Sequence, residues 1–233
     1  MNRKGFLASS TVIAASGAAP AQGVPGGTHL VERRSDFDAA LFGRVLGRPA
    51  RIRQLYEAVI FRPAVLTSVK NSLNGLQFGF GYAPGDIAIA LGAHGASAVY
   101  GYSDEIWTKY RLGEFFKLTD ATGATIDSNV FLRKRAAANA SADPDDPAGM
   151  YQDASIETLQ RRGLVVLTCH TAVEEQARLL VKGGVAPVGS TAADVADDIL
   201  THLIPGAVVV PSMVATIAVL QSQHHYAYIA PEL

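Results

Sequence analysis

The chain has 233 residues, 48% apolar and 18% charged, with 20 Lys and Arg against 21 Asp and Glu. That balance excludes a disordered chain and is enough for one α/β domain with a sizeable core. Near-neutral charge, no basic run beyond Arg133-Lys134-Arg135 and a single cysteine argue against a nucleic-acid partner, an internal disulfide and a Cys-rich zinc site.

Residues 1–21 read as a cleavable export signal. Met1-Asn2-Arg3-Lys4 is basic, residues 6–16 are weakly apolar, Ala19-Pro20-Ala21 has the small-x-small cleavage pattern, and nothing is long enough to span a membrane. Arg3-Lys4-Gly5-Phe6-Leu7 resembles the twin-arginine motif with lysine in the second basic position, so the expected location is the periplasm, reached by the twin-arginine route. Cleavage removes Arg3 and Lys4 and leaves 18 basic against 21 acidic residues, a net charge of −3. Residues 22–34 form a Gly/Pro-containing mobile leader, and residues 35–233 a single domain.

Ser35-Asp36-Phe37-Asp38 caps a first helix to about Leu46, with Gly47 after it. Residues 51–57 lean towards a strand. Pro63 opens a helix whose stripe Val65, Val69, Leu73, Leu76 and Phe80 recurs every three or four residues. Pro84-Gly85 turns the chain into a buried strand over 86–91, which ends at His94-Gly95, and Ser103 caps a helix over 104–112. From about 113 to 152 the periodicity fails apart from one short helical stretch in 128–140, which marks a long irregular insertion and a candidate lid. Asp143, Asp145 and Asp146 lack the alternating ligand spacing of a calcium loop and read as a solvated turn.

Leu164-Val165-Val166-Leu167 is a strand buried on both faces. It runs through Thr168-Cys169-His170 into a helix that Gly183-Gly184 ends, and Thr171-Ala172-Val173-Glu174 has the capping-box pattern. Thr191 with Asp194 caps the next helix, and Pro205-Gly206 leads into the strand Ala207-Val208-Val209-Val210. Pro211-Ser212 opens a helix with Met213, Val214, Ile217 and Leu220 inward, and Tyr226-Ala227-Tyr228-Ile229 closes the chain as an edge strand. Strands alternating with helices predict an α/β fold, a mostly parallel sheet with helices on both faces.

Ligands of such sheets bind beyond the carboxyl ends of the strands. Three strands end in residues with chemistry: His94-Gly95, Cys169-His170-Thr171 and Pro211-Ser212-Met213. As parallel neighbours they share one rim. Unpaired amides and the helix dipole at the start of the helix after Cys169 favour a thiolate there, with His94 or His170 to move its proton and Gly95, Thr171 and Ser212 to contact substrate. The bland alternatives are a packed, inert Cys169, a solvent-facing or capping His170 and a backbone-bonded His94. His224-His225 reads as an exposed pair at a helix end. No nucleotide-binding or hydrolase motif is present, and no cofactor or resident metal is expected.

At these residues the sequence resembles the DsrE/DsrF-like family of sulfur-relay proteins. The strand ending in His94-Gly95, the strand running into Cys169 at a helix start and the closing VVVPSMVATIAVLQSQHHYAYI carry the likeness, which covers about 51–110 and 153–229. The resemblance implies a Rossmann-like sheet, assembly into trimers or hexamers, and a persulfide on Cys169 received from small sulfur species or a sulfur-donor protein. The competing expectations are a non-enzymatic ligand-binding or assembly protein of the same fold and, more weakly, a periplasmic metal-binding protein.

Overall fold

A computed structural model describes residues 37–60, 62–120, 122–133 and 141–230. The expected export signal and leader lie outside these residues. Five strands, β1 (Ile52–Ala58), β2 (Ile87–Ala93), β3 (Leu164–Cys169), β4 (Val208–Val210) and β5 (Ala227–Ile229), form one sheet in the order β4-β3-β2-β1-β5. Every neighbouring pair is parallel. The chain is thus an α/β protein of Rossmann-like architecture, as the alternating pattern predicts.

All seven residues of β2, the middle strand, are buried, as a strand covered on both faces must be. Period-two alternation sorts its side chains. Ile87, Ile89, Leu91 and Ala93 join the cluster under α2 (Ala64–Asn74) and α5 (Ile156–Arg161). Ala88 and Ala90 join the cluster under α1 (Ala39–Leu46), α3 (Asp104–Lys109), α6 (His170–Lys182), α7 (Ala192–Thr201) and α8 (Met213–His224). In α3, Trp107 and Tyr110 are both buried, and the Trp107 indole N–H donates to the Val99 carbonyl at 3.0 Å.

Two of the side-chain caps the sequence announces form as expected. Asp38 accepts from the Leu41 amide at the start of α1. Thr191 and Asp194 form a reciprocal capping box on α7, and the Thr191 amide and hydroxyl hold the exposed Asp194 carboxyl below its usual range. Gly184, just past α6, takes the left-handed conformation at φ 67°.

Four expectations need correction. The stripe from Val65 does not reach Phe80, which is 78% exposed. The helix passes into a π-helical turn, Gly75–Gly79, whose extra residue per turn shifts the phase and rotates Phe80 outwards. Val214 is 69% exposed because Met213, Thr216 and Leu220 are the inward row of α8. Residues 128–133 form turns rather than a helix, and 134–140 lie outside the described residues.

The fourth correction concerns Ser103, which stands at the N-cap of α3 without a side-chain capping bond, in a helix that ends at Lys109 rather than 112. The described parts of the insertion are hydrogen-bonded to the segment after β2 and to the start of α5. Asn129 donates to the carbonyls of Tyr100 and Tyr102, and the Ile156 amide to that of Phe131. Asn74 donates to the Tyr151 carbonyl and accepts from Arg162, which ties α2 to residue 151 and to the end of α5. Asp143 and Asp146 form local turns, accepting from the amides of Asp145 and Ala148.

Candidate functional site at the carboxyl rim of the sheet

The register decides which side chains meet. Glu57 pairs with Gly92, Gly92 with Leu167, and Leu167 with Val208. Paired residues of parallel strands point to one face, and Cys169, paired with Val210, lies on that same face two residues further on. His94 is the next extended residue after β2 and follows Ala93, whose partner Thr168 precedes Cys169.

Cys169 is both the last residue of β3 and the N-cap of α6. It is only 4% exposed and belongs to the core cluster that includes Tyr102, Val173, Val210 and Met213. Its sulfur accepts a hydrogen bond from the Met213 amide, the first of α8, at 3.3 Å. The sulfur at the N-cap of α6 is thus met by the amino terminus of α8, while its own helix makes no side-chain capping bond to it. Gly92 makes this approach feasible. A Cβ there would sit 2.6 Å from the Met213 sulfur, so the bare backbone of β2 lets the start of α8 settle onto the sheet.

The predicted capping box is absent. Thr171 instead donates to the Pro211 carbonyl at 3.0 Å, a strut between the starts of α6 and α8. Glu174 faces inward, 3.9 Å from His170 Nε2 and 3.8 Å from an Arg178 guanidinium nitrogen. The helical spacing of four residues aligns these three side chains on one face of α6. His170 is consequently neither solvent-facing nor a cap: its side chain is 13% exposed, and Nδ1 is buried with no hydrogen-bond partner among the described residues. Ser212 is the N-cap of α8 without a side-chain capping bond, and its carbonyl accepts from the Thr216 amide and hydroxyl.

Behind the sulfur, Gln176 joins the rim to the core. Its Nε2 donates to the Gly95 carbonyl at 2.7 Å, and its Oε1 accepts from the Tyr102 hydroxyl at 2.8 Å. Burial, and then the neighbouring Cys169, hold the Tyr102 phenol far above its usual pKa, so it stays a hydrogen-bond donor. Gly95 needs its missing side chain: φ is 57°, and a Cβ would lie 3.0 Å from the Val59 carbonyl oxygen.

His94 Nε2 lies 2.8 Å from Glu57 Oε1, and the Tyr228 hydroxyl donates to Glu57 Oε2. The imidazole is thus turned towards β1. Glu57, Gln176, Tyr102 and Tyr228 were not legible as site residues. The one signal for Glu57 was a carboxylate at the end of a segment that leans towards a strand. His224 and His225 do not act as a pair: the His224 ring packs edge-on against Phe42 at 5.9 Å, while His225 turns left-handed at φ 57°. Among the described residues no group of three His, Cys, Asp or Glu side chains is placed to hold a metal, and no helix is long and apolar enough to cross a membrane.

The fold and rim define a class: a parallel α/β protein with a lone cysteine where its central strands give way to helices. Comparison with family models, with curated proteins and with solved structures gives no match.

Proposed function

We propose that the protein handles sulfane sulfur at this rim, with Cys169 as the acceptor and His94 as the group that moves its proton. The observation that carries the reading is the Met213 amide, the first of α8, directed at the sulfur of the residue that caps α6. Such amides also suit the negative charge of a terminal persulfide. With thiosulfate as donor, the Cys169 thiolate attacks the outer sulfur. The new Sγ–S bond forms as the S–S bond of thiosulfate breaks, and sulfite leaves with the electron pair. Thr171, Ser212 and Gly95 shape the rim that the donor approaches, and the start of α8 must move aside for it. The resemblance to sulfur-relay proteins supports the same chemistry, and with it a homo-oligomer. The Arg3-Lys4 signal supports export.

The test is the mass of the intact protein after incubation with thiosulfate or polysulfide. The expected result is one added sulfur atom, lost on reduction and absent in Cys169→Ser. No added sulfur, or equal addition in Cys169→Ser, removes the proposal.

One observation favours a second reading. Cys169 is 4% exposed in an apolar cluster, the environment of a cysteine that serves as a small hydrophobe. In that reading the chain is a binding or assembly protein, and the thiol reacts only when the domain unfolds.

A further inference from the structure

The geometry points to a fixed tautomer of His94, protonated on Nε2, set by Glu57 and, through Glu57, by the last strand of the chain. Three adjacent strands supply one residue each. Tyr228 on β5 pairs with Leu55 of β1, two residues before Glu57 on the same face, and Glu57 pairs with Gly92, two residues before His94. The Glu57 and His94 side chains are 15% and 17% exposed, so water competes little for their polar atoms. An ionised carboxylate only accepts. Its Oε2 is taken by the Tyr228 hydroxyl and its Oε1 faces His94 Nε2 at 2.8 Å. The ring nitrogen there must be the donor, which in the neutral imidazole leaves Nδ1 as the basic nitrogen. A base oriented by a third group is the arrangement proton transfer requires.

Glu57 is therefore a positioning residue that acts through His94, and β5, only three residues long, is part of the rim rather than a mere edge. The role assigned to the imidazole rests on the sulfur reading. The tautomer itself does not.

The experiment is the side-chain nitrogen spectrum of the histidines, with the His94 signal assigned from its loss in His94→Gln. The wild-type protein is expected to show the Nε2–H form, Glu57→Gln a mixture of tautomers, and Tyr228→Phe a smaller change in the same direction. Sulfur uptake by Glu57→Gln should slow by about tenfold or more with an altered pH profile. An Nδ1–H form in the wild type, or an unchanged ring spectrum in Glu57→Gln, overturns the inference. So does a variant with a lower melting temperature but the wild-type ring spectrum. If the wild type takes up no sulfur yet shows the Nε2–H form that Glu57→Gln loses, the sulfur reading falls and the tautomer assignment stands.

Discussion

Gly113→Ala is expected to destabilise the protein by about 3 kcal/mol or more, lowering its melting temperature by roughly 6–12 °C. Gly113 lies in the short helix α4 (Leu112–Phe115), and a Cβ on it would fall 1.5 Å from the carbonyl oxygen of Ile126 and 2.6 Å from the carbonyl carbon. No rotamer change relieves a clash with backbone. Relief would have to come from lifting residues 118–120 and 122–126, which are bonded to each other and to α4. The Leu118 amide donates to Gly113, the Ile126 amide to Leu118, and Asp120 ties the tip by accepting from Thr122 and Ala124. Ile126 would leave the core cluster as they rise. Gly75→Ala is the control: its backbone is helical and a Cβ meets nothing within 4 Å, so stability should hold or rise by about 0.5–1 kcal/mol. A Gly113→Ala protein that melts like the wild type would show that the insertion is not pinned here.

Gln176→Leu should cost about 1–3 kcal/mol, measured by urea unfolding. It removes two bonds at once and orphans the Tyr102 hydroxyl in a fully buried position and the Gly95 carbonyl at the rim. Tyr102→Phe in the same chain removes one orphan, so the double variant should lose less than the sum of the two single losses. Strict additivity would mean that Tyr102 and Gln176 do not depend on each other. Because Gln176 lies on α6 and Gly95 follows His94, this contact also holds the His94 turn against the helix that begins after Cys169.

The layers of the fold were legible because they depend on local chemistry. β2, β3 and β4 are apolar runs bounded by turns, whereas β1 mixes Arg53, Gln54 and Glu57 with apolar residues and could only be leaned towards, and α1 and α7 carry their own caps. Short elements escaped. Ile156 and Leu159 are a single apolar pair in a helix of six residues, and the 3-10 segment Gly95–Gly101 has no periodicity of its own. Thr171 and Glu174 show how a correct local pattern can lose. The capping box was available, but Thr171 found a carbonyl across the rim at Pro211, and Glu174 was drawn inward beside His170 and Arg178.

The rim was half legible. Parallel neighbours bring Cys169 and Met213 together, as expected from strands that end beside those residues, while the His94 ring is bonded to Glu57. Which face each residue takes is a matter of register, and register comes from pairing between distant segments. Hence Glu57 and Tyr228, 171 residues apart, could not be joined from the sequence. The depth of Cys169 was equally hidden, because it is fixed by Met213 settling over Gly92.

Whether this sulfur can be reached in the folded protein is read from its rate of alkylation. Cys169 in the native protein is expected to react through a local opening, at a rate that stays flat with urea until the unfolding transition begins. Reaction only at the rate of global unfolding, rising steeply with urea from the first addition, would contradict it and leave Cys169 as part of the core.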